Sequence, residues 1–387
     1  MSGVRIVIVT LSEPYPFGHV LGRWYYALLK ELSRRQYQVR CLSSSTNQRW
    51  AELAADAVKP LGVELSVHPV EDDRHWFSRK WRTFRRPFSH SISNSLRARL
   101  ASEIRFGYDI LHFEQLWSGY LAEQHPRTLV GVHHLSSLDL KALKPDGNPR
   151  FRFDRYLMRQ SESRLLRRLS VVTTLSDRLA ASIQAISPRT RVFVVPFGLD
   201  PSLYQFNPDD RSDEPTIGFL ANMRWMPGYL AARRLITRIF PLVKHLVPNT
   251  RLFVAGWDAR AALPEFIHNA GVTISENVPD PQATFDRLQV LAYPVPQGSG
   301  VKVKVLEAMA WGIPVVTTTD GVEGIEAVDG KHCHIADNDE LFAQLVANLL
   351  QQDDLRRSFR LHARALVEEQ HSPAPIVNRL EQVYKTL

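Results

Sequence analysis

The chain has little cysteine, no long apolar run and no clustering of metal-binding residue types. Its two cysteines, Cys41 and Cys333, stand far apart and outside any C-x-x-C pattern. That argues against a disulfide framework or a zinc ribbon and fits a reducing compartment such as the cytoplasm. The first apolar run, Val4 to Leu11, is too short for a signal-peptide core with its cleavage site or for a membrane span, and no later run approaches about 18 residues. It reads as a first buried strand. No carboxylates fall at metal-ligand spacing, so no metal is expected. Internal repeats, low-complexity segments and coiled-coil heptads are missing too, which removes the solenoid and fibrous classes.

What is there is an ordinary globular composition, 44% apolar and 23% charged, over 387 residues, enough for two domains each with its own core. The net charge of +8 favours an anionic partner without naming it. The charge is uneven. From Arg74 to Arg105 there are nine Arg or Lys against one acid, Glu103, with Trp76, Phe77, Trp81, Phe84 and Phe88 between them. Such interleaving suits an anionic membrane surface or a lipid-linked acceptor. A solvated face whose rings pack inward suits it equally. Nucleic acid is the least favoured partner, because no nucleic-acid motif accompanies the charge.

In the first half, Val4 to Leu11, Tyr37 to Ser43, Val63 to Val67, Tyr108 to Phe113, Thr128 to His133, Ser170 to Leu175 and Arg191 to Pro196 read as short apolar strands. Amphipathic stretches such as Val20 to Arg35, Ile92 to Arg105 and Phe153 to Arg168 separate them. Alternation of this kind builds a parallel, doubly wound α/β sheet. Ligands bind such sheets beyond the C-terminal strand ends, so the residues just after each strand are the candidates. Gly18 follows the first strand in a Pro-rich turn. His133 follows the fifth, where an imidazole could orient a sugar or simply be a satisfied structural group. His112 and Glu114 end the fourth strand on one face and could pair. Lys141 to Arg155 is a polar, Pro- and Gly-punctuated loop that could border a ligand cleft or simply be solvated.

Val194 to Pro215 breaks the composition with Pro, Gly and Asp, which marks a linker. Beyond it strand, turn and helix begin again, with Arg224 in the first turn. Arg251 to Ala255 and Val272 to Val278 read as further strands, and everything from Asn338 on reads as helix. The most informative stretch is Pro294 to Thr319, PVPQGSGVKVKVLEAMAWGIPVVTTT. An apolar strand leads through Gly298-Ser299-Gly300 into a helix that stops at Gly312, with Pro314 beyond. Free N–H groups at a helix start can seat phosphate oxygens. On a helical wheel Gly300, Lys304 and Glu307 share a face while Lys302 points nearly opposite. A cation for a diphosphate and a carboxylate for sugar hydroxyls describe a nucleotide-sugar pocket. An intrahelical Lys304/Glu307 pair on a surface helix is an equally good reading of the spacing.

The segment GSGVKVKVLEAMAWGIPVVTT resembles the donor-site segment of retaining GT-B glycosyltransferases, the group 1 or family 4 class, which carry G-x-G-x-x-x-K-x-L-E-A-M-A-x-G-x-P-V-V. The resemblance implies that Glu307 binds the nucleotide ribose and Lys304 the diphosphate. It assigns Gly18, Arg224, Gly298, Ser299, Gly300 and Glu323 to the donor as well, with residues 277–280 running past the base. His133 resembles the strand-ending histidine that contacts the donor sugar near the reacting carbon. The chain departs from the pattern at Ser299, where many members have a second Glu for the donor sugar. Glu323, in Gly-x-Glu-Gly, is also open to a reading as an acid at a helix N-terminus.

The implied architecture is two Rossmann-like domains facing across a cleft: residues 1–198 for the acceptor, 199–371 for the donor, and a last helix, 372–387, crossing back to the first domain. The implied activity is transfer of a sugar, hexosyl-type, from a nucleoside diphosphate, UDP or GDP by preference, to an acceptor hydroxyl with retention and without metal. Glycan, polysaccharide or glycolipid synthesis at the inner face of a membrane is the setting it suggests, with residues 74–105 touching the membrane. A catalytically silent sugar-nucleotide-binding partner and a sugar-nucleotide epimerase are the alternatives.

Overall fold

The structure is a computed structural model that describes residues 3–70, 88, 91–122, 125–142, 149–209, 214–276, 284–296 and 298–387, with the side chains of 141–142 and 149–151 left aside. Most of the basic and aromatic segment, residues 74–87 and 89–90, lies outside the described residues, as do 277–280 and much of the 141–155 loop. The chain divides into two compact units, Met1–Asp200 with His371–Leu387, and Pro201–Gln370.

The first unit is built on a seven-stranded sheet, ordered β3-β2-β1-β4-β5-β6-β7. The strands are β1 Arg5–Thr10, β2 Gln38–Ser45, β3 Glu64–Pro69, β4 Ile110–Phe113, β5 Thr128–Val132, β6 Val171–Thr174 and β7 Arg191–Val194. All pairs are parallel, as in Ile6 to Val39 and Ile6 to Ile110. The order reverses at β1 and β4, which opens a crevice beyond their C-terminal ends. The central strands are apolar on both faces because helices cover both; Ile6, Val7, Ile8 and Val9 are sealed.

Helix Val20–Arg34 starts at His19, whose ring accepts from Gly22 N at 3.4 Å. It buries Trp24, Tyr25, Leu28, Leu29 and Leu32, each contributing roughly 1.5–3 kcal/mol. The last helix, Pro373–Tyr384, lies on it. Ile376, Val377, Leu380 and Val383 supply the apolar contact. Arg35 donates to Ala374 O at 2.9 Å and to Asn378 at 2.7 Å, and Tyr37 Oη to Glu381 at 2.9 Å.

The second unit has a six-stranded parallel sheet, ordered β10-β9-β8-β11-β12-β13. Its strands are β8 Thr216–Leu220, β9 Arg251–Gly256, β10 Val272–Glu276, β11 Val290–Tyr293, β12 Val315–Thr317 and β13 His334–Ile335. The order reverses between β8 and β11, giving this unit its own crevice. Helix Val303–Trp311 ends at Gly312, whose φ of 78° is the left-handed C-cap conformation that glycine adopts at no steric cost.

Two sequence expectations need correction here. The segment after β12 is a short 3-10 turn, Thr319–Val322, leading to β13 and not to a helix, so Glu323 follows the turn and is no helix N-terminal acid. The chain beyond Asn338 is helical in pieces, Asp339–Gln351, Asp353–Leu366, a π-turn at Val367–His371, and Pro373–Tyr384. Gln352 and Ser372 break it with extended backbone.

Candidate functional site

Each crevice gathers polar groups, and the two sets are built differently. In the first unit, β4 carries His112 and is followed by Glu114, and β5 is followed by His133. Because β4 and β5 are adjacent and parallel, these residues meet at one edge. Glu114 Oε2 lies 2.6 Å from His133 Nε2. Its other oxygen, Oε1, is 3.2 Å from His112 Nε2, close but too bent for a good hydrogen bond. On the far side, His112 Nδ1 meets Tyr384 Oη of the last helix at 2.7 Å. Glu114 is buried. Burial alone would push its carboxyl up, but His112 and His133 together outweigh that and hold it down at about 2. Glu114 is therefore a carboxylate at any working pH. The His133 side chain is 10% exposed, and its Nδ1 is buried without a partner among the described residues.

A Cβ on Gly131 would stand 3.0 Å from Glu114 Oε2, so a larger residue at this strand position would require the carboxylate to shift. Tyr25 lies buried beside the cluster, and burial, then the Glu114 charge, pushes its phenol well up.

The turn after β1 holds Gly18, which donates to Tyr15 O at 3.2 Å and accepts from Arg23 Nε at 2.8 Å. Burial lowers the basicity of the neighbouring His19. Tyr15 packs edge-on to Phe17 at 5.8 Å and against Trp50 at 5.7 Å. Phe17 is 75% exposed, an unusual placement for so large a ring. Sequence reasoning did not single out these rings, because Trp50 is 33 residues from Phe17 and only the β1–β2 pairing brings the loops together.

In the second unit the crevice lies between the loops after β8 and β11. The β11 loop carries Gly298, Ser299 and Gly300, the last with φ of 80°. Lys302 is the residue before the helix, with φ −87° and ψ 81°. A helical wheel therefore does not apply to it. It is buried, donating to Gly300 O at 2.6 Å and standing 3.6 Å from Glu323 Oε2. Lys304 and Glu307, inside the helix, do pair, at 2.6 Å. Glu307 is fully buried and also accepts from Tyr204 Oη at 3.3 Å, while Lys304 stays 30% exposed. One neighbourhood thus holds Gly300, Lys302 and Glu323, and next to it Lys304, Glu307 and Tyr204. Lys302 and Tyr204 are the members that sequence reasoning missed. The lysine precedes the helix and so lies outside its periodicity, and the tyrosine is 103 residues from its partner.

Arg224 follows β8, with its backbone N held by Asn222 Oδ1 at 3.0 Å. Its guanidinium pairs with Asp258 and lies 5.7 Å from the Trp257 ring, with the side chain 66% exposed. It stands in the loop beside the β11 loop in the sheet order. Among the described residues no cluster of His, Cys, Asp and Glu has metal-binding geometry.

Two parallel sheets of this order, each with its own crevice, define a pair of Rossmann-like domains of the GT-B type. Residues 21–203 match the family described as Glycosyltransferase Family 4, and residues 214–352 match Glycosyl transferases group 1. The two matches and the fold together mark a GT-B glycosyltransferase. Sucrose-phosphate synthase from Thermosynechococcus elongatus has a similar structure, with a TM-score of 0.71 at 14% identity over 99% of this chain and 98% of that one. HepE from Anabaena, solved with UDP-glucose, superposes with a TM-score of 0.66 at 13% identity over 99% and 100% of the two chains. An uncharacterized 44.6 kDa protein of the cps region of Klebsiella pneumoniae is 24% identical over 154 residues. That match spans 38% of this chain and 39% of the Klebsiella protein.

Proposed function

We propose that the protein transfers a sugar, hexosyl-type, from a nucleoside diphosphate to an acceptor hydroxyl, with retention and without a metal. The observation that carries this reading is the Lys304–Glu307 pair set behind the Gly298–Gly300 loop at the reversal point of the second sheet. The Val303–Trp311 helix start and Lys304 would hold the diphosphate, with Arg224 able to swing from Asp258, an exposed pair worth little in water. Glu307 would accept from the ribose hydroxyls by exchanging its Lys304 bond for them. Cation and helix amides would stabilise charge on the departing diphosphate, the main demand of the reaction.

His133 would orient the donor sugar. Ser299 and Glu323 would border that sugar, and Gly18 would belong to the donor site as well. The UDP-glucose in HepE favours a UDP-linked donor, and the match to a cps-region protein favours a polysaccharide or glycolipid acceptor. With such an acceptor the enzyme would work in the cytoplasm, at the inner face of a membrane, with residues 74–105 as the proposed contact. No helix of the described residues is long and apolar enough to cross a membrane.

The test is donor binding by calorimetry across UDP, GDP, ADP and TDP sugars, with wild type beside Glu307→Ala and Lys304→Ala. Binding of one nucleotide class that both substitutions abolish supports the reading. No binding to any member sinks it. Binding without transfer to any acceptor or water favours the silent partner that Ser299 suggests, and turnover of donor without acceptor favours an epimerase.

A further inference from the structure

The four-residue chain in the first unit constrains where its protons can lie. An ionised carboxylate has lone pairs only, so an imidazole nitrogen that approaches it must carry hydrogen. Glu114 has two such neighbours, His133 Nε2 at 2.6 Å and His112 Nε2 at 3.2 Å. A ring that carries a single hydrogen, placed at Nε2, has a bare Nδ1. For His112 that lone pair is filled by Tyr384 Oη at 2.7 Å, which must therefore donate. For His133 it is buried with no partner among the described residues; the other atom of the chain with none is His112 Nε2, which still faces Glu114 Oε1 at 3.2 Å.

We propose that Glu114 is a positioning residue that holds His133 in its Nε2–H form, so that Nδ1 meets substrate as a hydrogen-bond acceptor and requires a hydroxyl there. Tyr384 secures the arrangement from behind, through His112. The last helix thereby reaches the reactive edge of a sheet whose first strand is more than 370 residues earlier.

The consequence for specificity is direct. A sugar hydroxyl can donate to a bare nitrogen, whereas a ring oxygen, a carbonyl or a deoxy position cannot. Other ionisable groups facing the chain are Tyr25 beside Glu114, Tyr37 and Glu381 beside Tyr384, and His134 with Asp139 beside His133. None of them lies between Glu114 and the two imidazoles.

The hydroxyl requirement rests on the transferase reading, but the proton placement does not, and nitrogen-15 shifts of the imidazoles in the full chain separate the two. Near pH 8, with His133→Ala for assignment, wild type should show His133 protonated at Nε2 and bare at Nδ1. A proton at Nδ1, alone or on a doubly protonated ring, overturns the proposal without any assay of activity. Glu114→Gln sharpens it. An amide offers a donor on one side, so both histidines cannot keep N–H groups aimed at it, and at least one must change tautomer. Two unchanged rings in a variant with wild-type melting would overturn the role of Glu114.

Saturation with the donor sugar that binds should move the His133 Nδ1 signal upfield as it accepts a hydrogen bond, and no movement would overturn the acceptor role. In turnover, Glu114→Gln should lower kcat roughly ten- to hundredfold with donor KM little changed. A shift in KM alone would contradict a positioning role.

Discussion

The two crevices solve the same problem with opposite construction. In the second unit the central contact, Lys304 to Glu307, spans three residues of one helix. In the first, His112, Glu114 and His133 come from two strands, and Tyr384 comes from the last helix. A local pair forms wherever its helix forms. A tertiary cluster exists only when the sheet is assembled and the final helix has docked. The first kind should fail residue by residue, the second as a unit.

The largest expected effect tests the local side. Glu307→Ala removes the partner that Lys304 and Tyr204 share and empties a fully buried position. It should abolish detectable donor binding and cost about 3 kcal/mol of stability, read by calorimetry and urea unfolding. If donor binding survives, the pair is structural only. Lys304→Ala should weaken donor binding comparably with a much smaller stability loss, because that side chain is partly exposed.

Next in size is a pH effect in the first unit. Glu162 is buried, accepting from Ser137 N at 3.3 Å, and burial raises its carboxyl from 4.5 to about 7. A raised carboxyl favours the folded state at low pH, and that advantage is lost as pH climbs from about 4.5 through about 7. The loss amounts to on the order of 3 kcal/mol. Glu162→Gln should flatten stability against pH across this window, as followed by urea midpoints. An unchanged slope would show that Glu162 ionises normally.

A smaller effect probes the tertiary cluster through its floor. Gly131→Ala puts a methyl 3.0 Å from Glu114 Oε2, and should cost about 1 kcal/mol while lengthening the His133 contact. The readout is the His133 nitrogen shift together with Tm. The smallest stability change is expected for Arg224→Ala, within about 0.5 kcal/mol, since its pair with Asp258 is largely exposed. Donor affinity should still fall roughly tenfold if the guanidinium meets phosphate. Equal affinity in that variant would remove Arg224 from the site.

Much of the fold was legible. The apolar runs gave the seven strands of the first sheet to within a few residues, because a strand buried on both faces must be continuously apolar. The stop at Gly312 was readable because few residues other than glycine adopt the left-handed cap without cost. Where the sequence misled, a local rule was carried past its range. Lys302 sits one residue outside its helix, so the wheel that relates Lys304 to Glu307 does not describe it, and its burial against Gly300 O and Glu323 was not foreseen. The two-residue strand β13 has too little pattern to be seen.

The chain's linear order determined its elements, the glycine-bounded helix and the Lys304/Glu307 spacing, because these depend on φ/ψ preferences and on contacts three or four residues apart. The His112–Glu114–His133–Tyr384 chain, the inward turn of Lys302 to Glu323 and the Tyr204 contact with Glu307 were decided only by tertiary structure. Each requires partners that no local periodicity relates, and the balance of burial against hydrogen bonding that sets Glu114 at about 2 exists only once the sheet and the last helix have closed around it.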